Sequence, residues 1–333
     1  MAGRSIAGQK TQIQKEVTPG TALTNAMLLV EALRLLPSSG GDAEPFKGIS
    51  GKVATSVTLP DLVGNWSATA VQCFNAIGLV AASRIAVPVT TTPGGATNAR
   101  QHVFSMNPDA EDTKRTYTVQ FGDATVAVQG AYGVFQTLGL NVERGALAFT
   151  TSMLTRELDY GATLATSGVT TMSAVPIPPR GYDVWADDAW ADLGTTLVGT
   201  FYRMNMTLGD KFVPDAPINS AITSYESAME QQDQDYTFDA MLRLDATAVT
   251  LVEDVFKLGE KKYFRIAATG PEVETGVDHM IQLDFAATIR NVGEIGQAPN
   301  SPAVSLPLTL DLARDSAGAN TCELTLVNGI LAY

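Results

Sequence analysis

Cysteine and histidine are scarce: the 333 residues hold two of each. Two cysteines cannot build a disulfide framework, and neither His102 nor His279 stands near one, which argues against structural zinc. Charge is sparse as well, 17% of residues being Asp, Glu, Lys or Arg, and it is unbalanced: 22 − 35 = −13. No basic excess exists to displace counterions, so nonspecific binding to the outside of a duplex is disfavoured. A protein through which DNA merely passes is not excluded. Long apolar runs are missing too. The longest uncharged stretch, Asn65 to Ser83, is broken by Asn, Gln, Ser and Thr and reads as a soluble helix with its flank. The opening MAGRSIAGQKTQIQKEV lacks the apolar centre of a signal peptide, so a chain made in the cytoplasm and not inserted in a membrane is expected.

Chemistry-bearing motifs are equally thin. GISGK at 48–52 is like a phosphate loop, but Phe46 and Val53 stand where that motif needs Gly and Ser or Thr. No Gly-x-Ser-x-Gly elbow is present. Asp187, Asp188 and Asp192 lack the alternating spacing of a calcium loop, and Cys73 and Cys322 read as small buried hydrophobes. Neither an enzyme nor a metal or cofactor is expected.

What is present is period-two alternation, the mark of half-buried strands. Tyr236, Phe238, Ala240, Leu242 and Leu244 alternate with polar neighbours, as do Ile281, Leu283, Phe285, Ala287 and Ile289. Leu306 to Leu312 makes a third run, Val53 to Leu59 a weaker fourth, and Tyr117, Val119 and Phe121 open a fifth. Asn328-Gly329 between short apolar runs signals a hairpin. Such strands form antiparallel sheets packed fully on one face. Two helices are expected. One follows Ser67, with Ala70, Cys73, Phe74 and Ile77 on one face; the other follows Asp245, with Ala248, Leu251, Val252, Val255 and Leu258, and ends at Gly259. Leu23 to Leu36 fits either a helix or a buried strand.

Length favours two domains of roughly 150 residues. ATAV at 68–71 and again at 246–249, each opening an expected helix, suggests a divergent tandem duplication. YTVQFGDATVAV at 117–128 then corresponds to HMIQLDFAATI at 279–289. Gly161 to Arg180, with Pro176, Pro178 and Pro179, reads as an extended linker between the copies. Thr90 to Arg115 reads as a long polar loop, and both segments are expected to become ordered only on assembly.

The segment TYTVQFGDATVAVQGAYGVFQTLGLNVERGALAFTTSMLTREL at 116–158 resembles the tail tube proteins of long-tailed phages. VTPGTALTNAMLLVEAL at 17–33 is similar to their N-terminal entry segment, and GNWSATAVQCFNAIGLV at 64–80 to the helix flanking their sheet. The resemblance covers roughly 1–160 and reaches the second half through the repeat. It implies a mainly β chain of two tandem, tube-type antiparallel barrel or sandwich domains, 1–160 and 181–333, each with a flanking helix. It further implies a structural virion protein whose rings stack into a tail tube around a tape-measure protein and meet tail terminator and tail-tip proteins. DNA would then cross the lumen without specific binding. Two copies per chain imply a homotrimeric ring of pseudo-sixfold symmetry. The acidic balance could line the lumen and repel a polyanion. Thr118, Gln120, Asp239, Gln282 and Asp284, on polar strand faces, are the expected lumen residues. Thr92, Asn98, Arg100, Asp109 and Glu111, in the polar loop, are expected to reach the adjacent ring. The alternative is a two-domain β-sandwich adhesion component of a tail tip or baseplate, whose exposed aromatics would include Trp185 and Trp190.

Overall fold

A computed structural model describes residues 8–40, 44–46, 56–58, 63–106, 113–143, 147–178, 181–199, 201–216, 224–231, 234, 236–298, 302–315 and 321–333. The chain is mainly β, 55% strand and 8% helix. In the first half the strands are β1 (Lys10–Lys15), β2 (Leu28–Val30), β3 (Leu36–Gly40), β4 (Glu44–Phe46), β5 (Ser56–Thr58) and β6 (Val63–Val71). Helix α1 (Ile77–Arg84) follows, then β7 (Val89–Thr91), β8 (Arg100–Ser105), β9 (Tyr117–Gly122), β10 (Ala127–Glu143), β11 (Ala148–Thr155) and β12 (Leu158–Ala162). Next come β13 (Thr170–Met172), β14 (Tyr182–Asp187), β15 (Phe201–Leu208), β16 (Phe212–Asp215), β17 (Ser227–Glu230) and β18 (Tyr236–Arg243). Helix α2 (Ala246–Leu251) runs on as a π-helical stretch, Val252–Lys257. The chain finishes with β19 (Lys262–Glu274), β20 (Val277–Val292), β21 (Gly296–Gln297), β22 (Val304–Ala313) and β23 (Cys322–Asn328).

Two strands, β10 and β20, are long enough to serve two sheets each. The first part of β10 lies between β9 and β12, while its last part lies between β11 and β15. β20 does the same: its first part lies between β19 and β23, and its last part pairs with β22. Both strands carry a bulge at the crossover, between Phe135 and Thr137 in β10 and between Ile289 and Asn291 in β20. A bulge bends a strand and increases its twist, which is what leaving one sheet for another requires. The result is a broad sheet in the order β3–β6–β11–β10–β15–β18–β22–β20. A second sheet, β1–β9–β10–β12, backs its first half, and β14–β19–β20–β23 backs its second. Followed pair by pair, the ladder never returns to a strand already visited, so the sheet is open and does not close into a barrel.

Apolar residues, Phe238 and Phe285 of the alternating runs among them, fill the space between these layers. Trp66, Phe135, Phe149, Phe238, Phe264, Phe285 and Leu324 belong to one continuous buried cluster that spans both halves. α1, buried along its whole length, packs on β10, and the π-helical stretch packs on β20. Burying a side chain such as Phe238 contributes roughly 1.5–3 kcal/mol, which is why the alternation selects these faces.

The helix after Asp245 forms as expected: the Asp245 carboxylate accepts from the Ala248 amide at 3.1 Å, and Gly259 takes φ +71° beyond the end. The helix expected after Ser67 does not start there. Residues 63–71 form β6, and the helix begins at Ile77. Ala68 to Val71 is therefore strand where Ala246 to Val249 is helix, and the four shared letters are coincidental. Asn328-Gly329 makes no hairpin; it ends β23, and the Asn328 side chain accepts from the Ile330 amide as the chain turns inward. In 23–36 only Leu28–Val30 and the start of β3 are strand, the rest being irregular. The segment read as a linker is extended but held down, pairing β13 in parallel with β2 and burying Ile177. The stretch read as a structureless loop contains β7 and β8. GISGK lies outside the described residues, as does the weak fourth strand apart from β5, Ser56–Thr58.

Candidate assembly face

The broad sheet has one apolar and one polar face. The polar face is built largely of hydroxyls and amides that line up across strands. Thr69, Thr150, Gly139, Thr207 and Thr237 stand opposite one another in sequence across β6, β11, β10, β15 and β18. The neighbouring row runs Asn141, Asn205, Asp239 and Thr309. Apart from Asp239, charges of both signs stand together on this face among the described residues. Glu143 is opposite Arg203, and Arg290 pairs with Asp311 at 3.3 Å. The acidic excess of the chain is thus not gathered on this face.

Of the residues expected at a lumen, Asp239 is on this face, where it accepts from the Thr309 hydroxyl at 3.1 Å. Thr118, Gln120 and Asp284 are buried instead and face no open space. Thr118 donates to Glu16 at 3.0 Å, and Gln120 donates to Gln129 at 2.6 Å while accepting from the Ala165 amide. The entry segment and the 161–178 segment cover this side of β9, which strand alternation alone could not reveal. Asp284 accepts two bonds from the Arg265 guanidinium, at 2.7 and 2.8 Å, and this carboxylate raises the Arg265 pKa. Gln282, half-buried, donates to the same Asp284 at 2.8 Å. Glu16 is the hub that sequence reasoning missed: besides Thr118 it accepts from the amides of Gly20 and Tyr132.

The expected inter-ring residues divide. Thr92 is exposed just after β7. Asn98 belongs to a clamp, with Arg100 next to it, in which Glu274, at the tip of the β19–β20 hairpin, accepts the amides of Thr97, Asn98 and Ala99 at 2.8–3.2 Å. The Ala99 and Asn98 amides, with Thr97 adding to them, hold the Glu274 pKa below its usual value. Asp109 and Glu111 lie outside the described residues. Trp185 and Trp190 are both half-buried, Trp190 packing edge-on against Tyr263, and Trp66 is buried.

Strand pairing, buried cations and a packed hairpin join the halves. β10 and β15 pair along Leu138–Glu143, and β8 of the first half pairs with β23 at the end of the second. Buried Arg84 in α1 donates to the Gly209 carbonyl at 2.8 Å and to Gln234 at 3.0 Å, and buried Lys211 donates to the Ile85 carbonyl. The hairpin β16–β17 seats Phe212, Tyr225 and Ala228 of the second half on Tyr132, Val134 and Leu154 of the first.

Two edges of the broad sheet have no strand beside them among the described residues. One is the outer side of β3. The other is the outer side of β20 and β21 beyond Ala287, where β19 stops. Large apolar side chains sit on both: Leu36 is 40% exposed and Ile295 59%. Among the described residues no helix is long and apolar enough to cross a membrane, and no group of three or more His, Cys, Asp and Glu could hold a metal. No protein-family model matches the chain, and no curated protein matches it.

Proposed function

We propose that this chain is a structural subunit that closes into rings, three copies to a ring, which stack as a phage-type tail tube. The observation that carries this is the recurrence of one strand scheme. β3–β6–β11–β10 in the first half reappears as β15–β18–β22–β20 in the second, with α1 and α2 placed alike after β6 and β18. On this reading each half is one tube-type domain, and the β10–β15 ladder is a domain-to-domain joint already made within the chain. A head-to-tail joint that uses different surfaces on its two sides propagates until a ring closes. The spare edges of β3 and β20 are the surfaces left for it. Three chains supply six domains, giving true threefold and pseudo-sixfold symmetry.

The hydroxyl-rich polar face would then line the lumen. Such a wall offers a passing polyanion neither a basic patch to bind nor a strong like-charge field. Native mass measurement and negative-stain imaging test the proposal: rings of three chains and hollow stacked filaments are expected. Rings of six chains would overturn the trimer, and a monomer persisting at high concentration would overturn ring formation itself.

A further inference from the structure

Ring closure needs a particular alignment of one copy on the next, and the repeat determines it. The two bulges set the correspondence. Phe135 stands opposite Met153 just before the first bulge, and Ile289 stands opposite Leu310 just before the second. Met153 is paired through Trp66 to Pro37, and Leu310 through Phe238 to Met206. Pro37 of β3 therefore occupies the position of Met206 of β15, and Leu36 that of Asn205. Likewise Gly293, whose amide bonds the Pro307 carbonyl, occupies the position of Gly139, which stands opposite Thr150 and Thr207.

Within the chain, Asn205 meets Asn141, two residues beyond Gly139. Two residues beyond Gly293 is Ile295. Gly296 pairs with Ser305, so the three residues from Gly293 to Gly296 span only the two from Pro307 to Ser305, and Ile295 with Gly296 shares one rung. We infer that copies of this chain join by antiparallel pairing of β3 with the β20–β21 edge, Leu36 of one copy facing the Ile295–Gly296 rung of the next. The inference rests on the ring reading above.

A separate observation bears on it. Backbone register alone sets an exposed leucine on one edge against an exposed isoleucine on the other. These occupy the position filled within the chain by an Asn141–Asn205 pair. Covering an apolar cross-strand pair removes area from water and so favours this joint. Beside β3 a groove of about 370 Å³, lined by Gln9, Leu36, Pro37, Phe121, Val126 and Val128, lies open along the same edge. The partner is a second copy and not an unrelated strand, because the joint it would make already exists once in every chain.

Cysteine pairs test the register. Leu36→Cys with Ile295→Cys should give, on oxidation with copper-phenanthroline, a disulfide-closed species of three chains on a non-reducing gel. Ser38→Cys with Ile295→Cys, two residues out of register, should give little. Cys73 and Cys322 are buried and contribute no background. A charge-swapped pair supplies the second readout: Leu36→Asp alone should reduce ring formation at least tenfold, and adding Ile295→Arg should restore most of it. Rings that cross-link better through Ser38→Cys, or through neither pair, would overturn this alignment while leaving the ring reading standing. A wild-type chain that forms no rings overturns both.

Discussion

At the scale of single residues, stability rests on a few polar groups that are buried and satisfied together. Asp284 is one. Arg265 and Gln282 converge on it, and removing the carboxylate leaves a guanidinium with no partner on this side. Breaking a buried pair from one side costs about 3 kcal/mol, so Asp284→Ala should lower the urea midpoint clearly. Tyr333 is another. Its hydroxyl donates to the Asn75 carbonyl at 2.7 Å and accepts from Asn328, its ring lies edge-on to His102, and its carbonyl accepts from Arg115. Tyr333→Ala should cost about 3 kcal/mol by large-to-small truncation, and Tyr333→Phe about 1 kcal/mol, both read by denaturant unfolding. Burial raises the Cys73 thiol to about 11 and the Cys322 thiol to about 12, so both are protonated at pH 8. An aromatic disulfide reagent should label neither in the native protein and both in urea.

At the scale of elements, the sequence was legible where alternation is long. β18, β20 and β22 follow directly from the apolar sets at 236–244, 281–289 and 306–312. It was illegible at 66–80 because small residues serve two periods at once. Trp66, Ala68 and Ala70 satisfy a strand, while Ala70, Cys73, Phe74 and Ile77 satisfy a helix. Tertiary pairing of β6 between β3 and β11 decides the first stretch. Alternation also says which residues share a face but not whether another layer covers it. Asp239, on the open polar face, and Thr118, Gln120 and Asp284, under a covering layer, show the same alternation in the sequence. Asp245 caps α2, and Asp245→Ala should cost about 1 kcal/mol in a denaturant titration.

The Glu274 clamp gives a pH dependence whose sign follows from its bonds. Its folded-state pKa is depressed, so the clamp holds above the ordinary carboxylate pKa and is lost as pH falls through the lowered folded value. Hydrogen exchange at the Thr97, Asn98 and Ala99 amides should be slow relative to unstructured references at pH 5. That protection should disappear in more acidic buffer and should be absent at both pH values in Glu274→Ala.

At the scale of the whole molecule, the halves recur in plan but are not separable in construction. β8 leaves the first half to lie against β23, β15 closes on β10, and the β16–β17 hairpin covers Tyr132 and Leu154. A chain divided by a flexible linker would melt in two steps. Here a single cooperative transition is expected by calorimetry, with the calorimetric and van't Hoff enthalpies equal. The two halves share a strand order that their letters do not display: ATAV lies in β6 at 68–71 and opens α2 at 246–249.

The strands exchanged between the halves have a consequence for how the polypeptide can be cut. Once folded, the two sides of Pro178 are held together by β8 on β23 and β15 on β10 as well as by the chain that runs between them. Two separately translated polypeptides, 1–178 and 179–333, should therefore complement one another as a split protein. Co-expressed, they should copurify on a tag carried by only one of them.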